Sequence, residues 1–214
     1  MKKVSYFLSH PIQYQTPLIQ NLHKNLEGIE LDVVYFANHT IGGYDKQFGI
    51  NVKWDIPLLH GYNFHFLKNY SPRPSVSNSF FGLINFGVIK YLIIRKPDYI
   101  VVHGWAYFSN ILLLLTARVL GIKILMRAES PLQPEMAKNK FNILIKKVIL
   151  NICDRFLYIG KENKAFYKYF NIPDEYLFYT PYCVDNERFL TSKINYNISQ
   201  DSVRPYFNIP MDNK

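Results

Sequence analysis

Glycine is missing from residues 1–27. A dinucleotide-binding turn needs G-x-G-x-x-G so that the backbone can approach a pyrophosphate, and this opening does not fit NAD. Cysteine is scarce as well: Cys153 and Cys183 are the only two in 214 residues. Thirty positions apart, they make no C-x-x-C metal or redox motif, and a lone disulfide between them has no further support. A reduced cytosolic setting is the simpler reading. Long apolar runs are also lacking. The most apolar stretch, residues 110–126, is broken by Arg118 and Lys123, whereas a membrane span needs roughly 20 mostly apolar residues. The opening MKKVSYFLSHP carries a basic tip, but its apolar stretch is too short for a secretory signal.

Acidic residues number 16 against 25 basic ones, a net charge of +9. Such a balance attracts nucleic acid, anionic lipid or phosphorylated small molecules. The excess is gathered in residues 138–168. There Lys138, Lys140, Lys146, Lys147, Arg155, Lys161, Lys164 and Lys168 meet only Asp154 and Glu162. This region reads either as a solvated helix surface or as a contact with an anionic membrane. No nucleic-acid reading motif accompanies it, so nucleic acid is not an expected partner.

What the sequence does have is alternation, and 49% hydrophobic residues with which to build a core. Residues 4–8 form a short apolar run that reads as a buried strand. Thr16 and Pro17 mark a helix start, with Thr16 as N-cap. Leu18, Ile19, Leu22 and Leu26 give its apolar stripe, and Gly28 ends it. Residues 31–36 read as the next strand, completing a βαβ unit. Residues 38–79 are rich in glycine and proline and form a long excursion with one strand near 63–67. Helices are then expected at 81–94, 110–120, 139–152 and 162–170, between strands at 99–102, 122–126, 155–159 and 176–180. The expected fold is α/β: a Rossmann-like, doubly wound, mainly parallel sheet with helices on both faces. From Thr191 the pattern gives way to polar residues with Pro205 and Pro210, which read as a linker.

In such sheets ligands bind beyond the C-terminal strand ends, so the residues after each strand carry the chemistry. After the first strand comes SHPIQYQT. Pro11 keeps His10 extended, and the following helix aims its first N–H groups into the turn, an anion site. His10, Gln13 and Gln15 add side-chain hydrogen bonds suited to a hydroxyl-rich ligand, although His10 as a plain strand cap fits too. After residues 99–102 comes His103-Gly104-Trp105. The imidazole can bond hydroxyls, the glycine leaves room and the indole offers a flat face, as in a sugar subsite; a structural histidine fits equally. After residues 122–126 comes Arg127-Ala128-Glu129-Ser130. Arg127 and Glu129 either pair with each other or line the cleft. In the second case Arg127 meets a phosphate, Glu129 meets hydroxyls or acts as a base, and Ser130 is a further substrate contact. In the helix at 139–152, Phe141, Leu144, Ile145, Val148 and Ile152 have core spacing. Ile143 and Leu150 fall opposite, near Lys146 and Lys147, which suggests either membrane contact or a helix buried on two sides.

The strings SHPIQYQTPLIQNL, GYDKQFGINVKWDIPLLHGYNFHFL, KPDYIVVHGW and MRAES, with FYKYFNIPDEYLFYTPYCVDNERF further on, resemble family 4 glycosyltransferases. More narrowly, they are similar to a bacterial subgroup whose N-terminal domain starts His-Pro-Ile-Gln-Tyr. The resemblance implies a GT-B architecture of two Rossmann-like domains. Residues 1–190 would be the N-terminal, acceptor-side domain, and residues 191–214 a linker toward an absent C-terminal donor-binding domain. It implies a UDP- or GDP-linked sugar donor held mainly by that second domain, no metal or other cofactor, and transfer with retention of configuration. His103 would match a cleft histidine near the donor sugar, with His103 and Glu129 as catalytic groups. The turn at His10 to Gln13 would match the loop under the phosphates.

The implied function is the acceptor-binding half of a nucleotide-sugar-dependent transferase in cell-surface polysaccharide or glycolipid assembly. Its acceptor would be a sugar or a lipid-linked glycan. It would be cytoplasmic and peripheral at the inner face of the membrane, and inactive by itself. A non-catalytic glycan- or partner-binding α/β module is the alternative. The sequence departs from the family pattern in three places. The first turn has no glycine pair, Tyr182-Cys183 stands where relatives often show Asn-Gly, and no two glutamates fall eight positions apart.

Overall fold

A computed structural model describes residues 1–38, 43–45, 50–52, 56–77, 79–132 and 140–182, with the isolated positions 186 and 190. The expectations for residues 191–214, and for Cys183, Val184 and Asp185, lie outside the described residues. Residues Met1–Tyr182 form one compact unit.

Seven strands build one all-parallel sheet: β1 (Lys2–Leu8), β2 (Ile29–Tyr35), β5 (Asn63–Phe66), β6 (Tyr99–Val102), β7 (Lys123–Met126), β8 (Arg155–Tyr158) and β9 (Leu177–Tyr179). Their order is β5-β2-β1-β6-β7-β8-β9. The chain thus winds outward from β1 in one direction, then returns past it through β6 in the other, which is the doubly wound arrangement expected. A separate antiparallel pair, β3 (Gly43–Asp45) and β4 (Ile50–Val52), lies in the long excursion and was not foreseen there.

Strand alternation sorts the apolar side chains into two layers. Phe7, Val34, Ile100, Val102, Ile124 and Met126 face one side. There they pack with α2 (Gly87–Arg95), α3 (Phe108–Val119), α4 (Lys140–Asn151) and α5 (Lys161–Tyr169). Tyr6, Leu8, Val33, Tyr35 and Val101 face the other side, where α1 (Thr16–Asn25) contributes Ile19. Among the described residues no helix is long and apolar enough to cross a membrane. Cys153 is a free thiol whose Sγ lies 3.3 Å from the Ile149 carbonyl, and burial pushes its pKa up to about 12.

Three local expectations need correction. Thr16 is not the cap of α1. Gln15 holds that position without a side-chain cap bond, and the Thr16 hydroxyl donates to the carbonyls of Ile12 (3.2 Å) and Leu58 (3.3 Å). The stripe expected on α1 is also narrower, since Ile19 is buried while Leu26 is exposed.

The helix expected at 81–94 starts later. A 3-10 turn at Phe80–Gly82 is followed by extended Leu83, and α2 begins at Gly87. Two features interrupt it. A side chain on Gly82 would place its Cβ 2.3 Å from the Ser75 carbonyl oxygen. Asn85, fully buried, ties the segment down by donating from Nδ2 to the carbonyls of Phe36, Leu67 and Lys68, at 2.9–3.0 Å.

The third correction reverses a helix face. On α4 it is Ile149 and Leu150 that are buried, with Ile143 packed against the same core, while Phe141, Leu144, Ile145 and Val148 are exposed. Of the stripe assigned to the core, only Ile152, just past the helix, packs inward.

Candidate functional site at the switch point

The order of the sheet reverses between β1 and β6, and a crevice opens there beyond the C-terminal strand ends. The β1–β6 register pairs Phe7 with Val102, and the β6–β7 register pairs Val102 with Met126. His103 and Arg127 are therefore the first residues past adjacent strands, at the same level. The crevice is about 470 Å³. Gln15, His103, Gly104, Trp105, Arg127, Glu129 and Ser130 line it, together with Ser9 and Tyr14. Seven of the nine residues singled out from the sequence are thus brought together. His10 and Gln13 lie outside this lining. His10 is joined through Nδ1 to the Ser9 hydroxyl at 2.9 Å.

Arg127 is only 4% exposed, yet its Nε and Nη2 have no hydrogen-bond partner. The guanidinium carbon lies 5.1 Å from the centroid of the Tyr182 ring, and Tyr182 meets Tyr14 edge-on at 5.6 Å. Of the two arrangements open for Arg127 and Glu129, the buried nitrogens do not serve a mutual pair. Glu129 stands at the rim. Although the residue is exposed, the protein around its carboxyl raises its pKa, against the opposing pull of the Arg127 charge. The Tyr14 phenol is likewise raised, first by burial and then by the nearby Glu129 charge.

His103 places Nε2 2.7 Å from the Tyr6 hydroxyl. Enclosure by protein, with the Arg127 charge beside it, holds its pKa down to about 3. The ring is therefore neutral across the physiological range and can take part in hydrogen bonds both as donor and as acceptor. Gly104 has φ +67 and open space where a Cβ would sit, so it gives the left-handed turn and clearance together. Trp105 stacks on Phe166 at 6.0 Å, which makes it both cleft wall and part of the packing. Buried Gln15 leaves Oε1 without a partner, as buried Asn110 leaves Oδ1. The amides of Gln15 and Thr16 already donate to the Ile12 carbonyl, and Pro17 has none, so the start of α1 offers an anion less than its sequence suggests.

The turn carrying Arg127 to Ser130 is held from α5. Asn163, 4% exposed, donates from Nδ2 to the carbonyls of Ala128 (2.8 Å) and Ser130 (3.0 Å), and its Oδ1 accepts the Ile159 amide. The Tyr167 hydroxyl accepts the Ala128 amide at 3.1 Å. Sequence reasoning passed over Asn163, Tyr167, Tyr6 and Tyr14. The one signal for Asn163 was a polar residue at i, i+3, i+4 spacing with Phe166 and Tyr167.

A second crevice, about 580 Å³, opens at the opposite end of the sheet, beside Lys2, Asp98 and Lys123. It is the larger, and two of its lysines are already paired: Lys2 with Asp98 and Lys123 with Asp154. Among the described residues, Gln15 and Arg127, whose buried Oε1, Nε and Nη2 lack partners, line the switch-point crevice, while Thr180 Oγ1, past β9, lacks one elsewhere. Among the described residues no cluster of three or more His, Cys, Asp or Glu could hold a metal.

No protein-family model matches this sequence, nor does any curated protein sequence. Solved structures do share the fold. UDP-GlcNAc 2-epimerase from Neisseria meningitidis, bound to UDP-GlcNAc, aligns with 100% of this chain and 55% of its own, at 16% identity and a TM-score of 0.53. UDP-N-acetylglucosamine 2-epimerase from Rickettsia bellii aligns over 98% and 52%, at 15% identity and TM-score 0.56. HepE from Anabaena, in complex with UDP and glucose, aligns over 97% and 50%, at 13% identity and TM-score 0.55. This chain spans about half the length of the structures it matches. At these identities the likeness establishes the fold.

Proposed function

We propose that this chain is the acceptor-side half of a nucleotide-sugar-dependent glycosyltransferase of the family 4 type, acting with retention in cell-surface polysaccharide or glycolipid assembly. The observation that carries the reading is Arg127. A guanidinium stays protonated, and burying its charge without an anion is costly. Arg127 lines the crevice at the switch point, the place where such sheets take ligands, and its Nε and Nη2 are enclosed there without a hydrogen-bond partner. A phosphate or diphosphate oxygen supplies what they lack.

The other groups then fall into roles. Neutral His103 bonds a hydroxyl close to the reacting sugar carbon, and Gln15 Oε1 accepts another hydroxyl. Glu129, with its raised pKa, exchanges a proton or bonds acceptor hydroxyls. Trp105 and Gly104 give a flat wall and clearance. Negative charge building on the leaving diphosphate is met by the Arg127 charge. The reading is supported by a fold that recurs in proteins solved with UDP, glucose and UDP-sugars. On this reading most of the grip on the nucleotide comes from a donor-binding domain outside residues 1–190, and the acceptor is a sugar or lipid-linked glycan.

Turnover is the test. This chain alone should transfer no sugar from UDP- or GDP-hexoses, and robust transfer would overturn the half-enzyme reading. Combined with a donor-binding domain that restores transfer, His103→Ala should lower kcat about 100-fold or more. Near-normal turnover would reduce His103 to a structural residue. Glycan binding with no transfer under those conditions would favour a non-catalytic module instead.

A further inference from the structure

We infer that Tyr182 is a positioning residue of the switch-point crevice: its ring takes the place of water beside the Arg127 guanidinium and holds that charge ready for a phosphate oxygen. The inference rests on the reading that Arg127 takes an anion. It adds what keeps the cation in place before the anion arrives. Arg127 is the first residue past β7, whereas Tyr182 lies three residues past β9, the edge strand two places further out. The Thr180 amide still donates to the Tyr158 carbonyl at 2.8 Å, prolonging the β8–β9 ladder. Beyond it Tyr182 brings its ring to 5.1 Å from the guanidinium carbon and meets Tyr14 edge-on at 5.6 Å. Tyr14 arrives from the other side of β7, in the turn between β1 and α1. Tyr14 and Tyr182 are 47% and 40% exposed, while Arg127 beside them is 4% exposed.

The choice of a ring has a physical reason. A carboxylate in that place would pair with the guanidinium and use up its N–H donors. An aromatic face attracts the cation through its quadrupole, and the attraction grows as water is excluded. Nε and Nη2 of Arg127 are left without a partner, as such an arrangement requires. A guanidinium surrounded by water would have to shed hydration and settle on one rotamer as the anion binds. One already dried and held on one side avoids part of both costs. If Tyr182 were plain packing, apolar bulk alone would serve, and leucine would replace it.

The test compares Tyr182→Phe and Tyr182→Leu with the parent chain, with inorganic pyrophosphate as the probe. Without any ligand, the Nε–H signal of Arg127 in a nitrogen–proton NMR spectrum is identified by its loss in Arg127→Met. Tyr182→Phe keeps the ring and should leave that signal where it is, whereas Tyr182→Leu should shift it. By calorimetry, pyrophosphate should bind the parent and Tyr182→Phe alike, and Tyr182→Leu about fivefold more weakly or worse. Tyr182 is exposed enough that thermal unfolding of both variants should stay near that of the parent. The inference is overturned if Tyr182→Leu binds pyrophosphate as well as the parent or better, because the ring is then filler or a competitor. It is equally overturned if Tyr182→Phe loses as much as Tyr182→Leu, because the hydroxyl is then responsible. Either result leaves the Arg127 reading standing, whereas a parent chain that does not bind pyrophosphate removes both.

Discussion

The imidazole Nε2 of His103, just past β6, stands 2.7 Å from the hydroxyl of Tyr6, which comes from the adjacent strand β1. This contact crosses the point where the sheet reverses direction, and the protein around it holds the ring neutral down to about pH 3. In the unfolded chain a histidine binds its proton near pH 6.5. Between those values the unfolded state holds more protons, so the contribution of His103 to stability is complete above pH 6.5 and is lost as pH falls toward 3. Urea unfolding at pH 7 and pH 5 should show the parent losing about 2 kcal/mol more than His103→Gln over that interval. Matching losses would show that His103 is not held neutral.

Asn163 should matter to stability and binding together. Asn163→Ala leaves the carbonyls of Ala128 and Ser130 and the Ile159 amide without their partner. Stranding buried polar groups costs about 1–3 kcal/mol each, less where water can enter. A loss of about 2–4 kcal/mol in urea unfolding is expected. Because the turn it holds carries Arg127, affinity for phosphate-bearing ligands should fall in the fraction that remains folded. Unchanged stability would mean that the turn holds itself.

Gly82→Ala probes the break before α2. The added methyl would sit 2.3 Å from the Ser75 carbonyl oxygen, a backbone atom that cannot swing away. Forced shifts of this kind cost about 1–3 kcal/mol, and a thermal unfolding midpoint several degrees lower should report it. An unshifted midpoint would show that residues 75 and 82 move apart at little cost.

How much of this was legible in the sequence differs from element to element. Residues 99–102 and 124–126 are apolar runs bounded by polar or charged residues, and buried parallel strands look like that. The strand-end rule then pointed directly to His103 and Arg127. The face of α4 was not legible, because Phe141, Ile143, Leu144, Ile145, Val148, Ile149 and Leu150 put apolar groups nearly all round the helix. Spacing supports more than one stripe there, and tertiary packing chose the other one. The start of α2 was hidden in the apolar string FFGLINFGVIKYL, where Asn85 acts through carbonyls 17 to 49 positions away. Tyr6 with Tyr14, Asn163 and Tyr182 reach the crevice or its walls from three separate parts of the chain. Nothing local marks such residues before the sheet assembles them.

The central claim is that Arg127 waits for an anion. Titration of a UDP-hexose into this chain, followed by ligand-observed NMR, tests it most directly, with Arg127→Met as the comparison. Methionine keeps an apolar stem in the buried space but removes the charge and the unpartnered donors on Nε and Nη2. The parent chain should bind the nucleotide sugar, inorganic pyrophosphate should compete, and Arg127→Met should weaken binding about tenfold or more, the worth of a charge-assisted hydrogen bond. Equal binding by parent and variant, or none by the parent at millimolar ligand, would contradict the account.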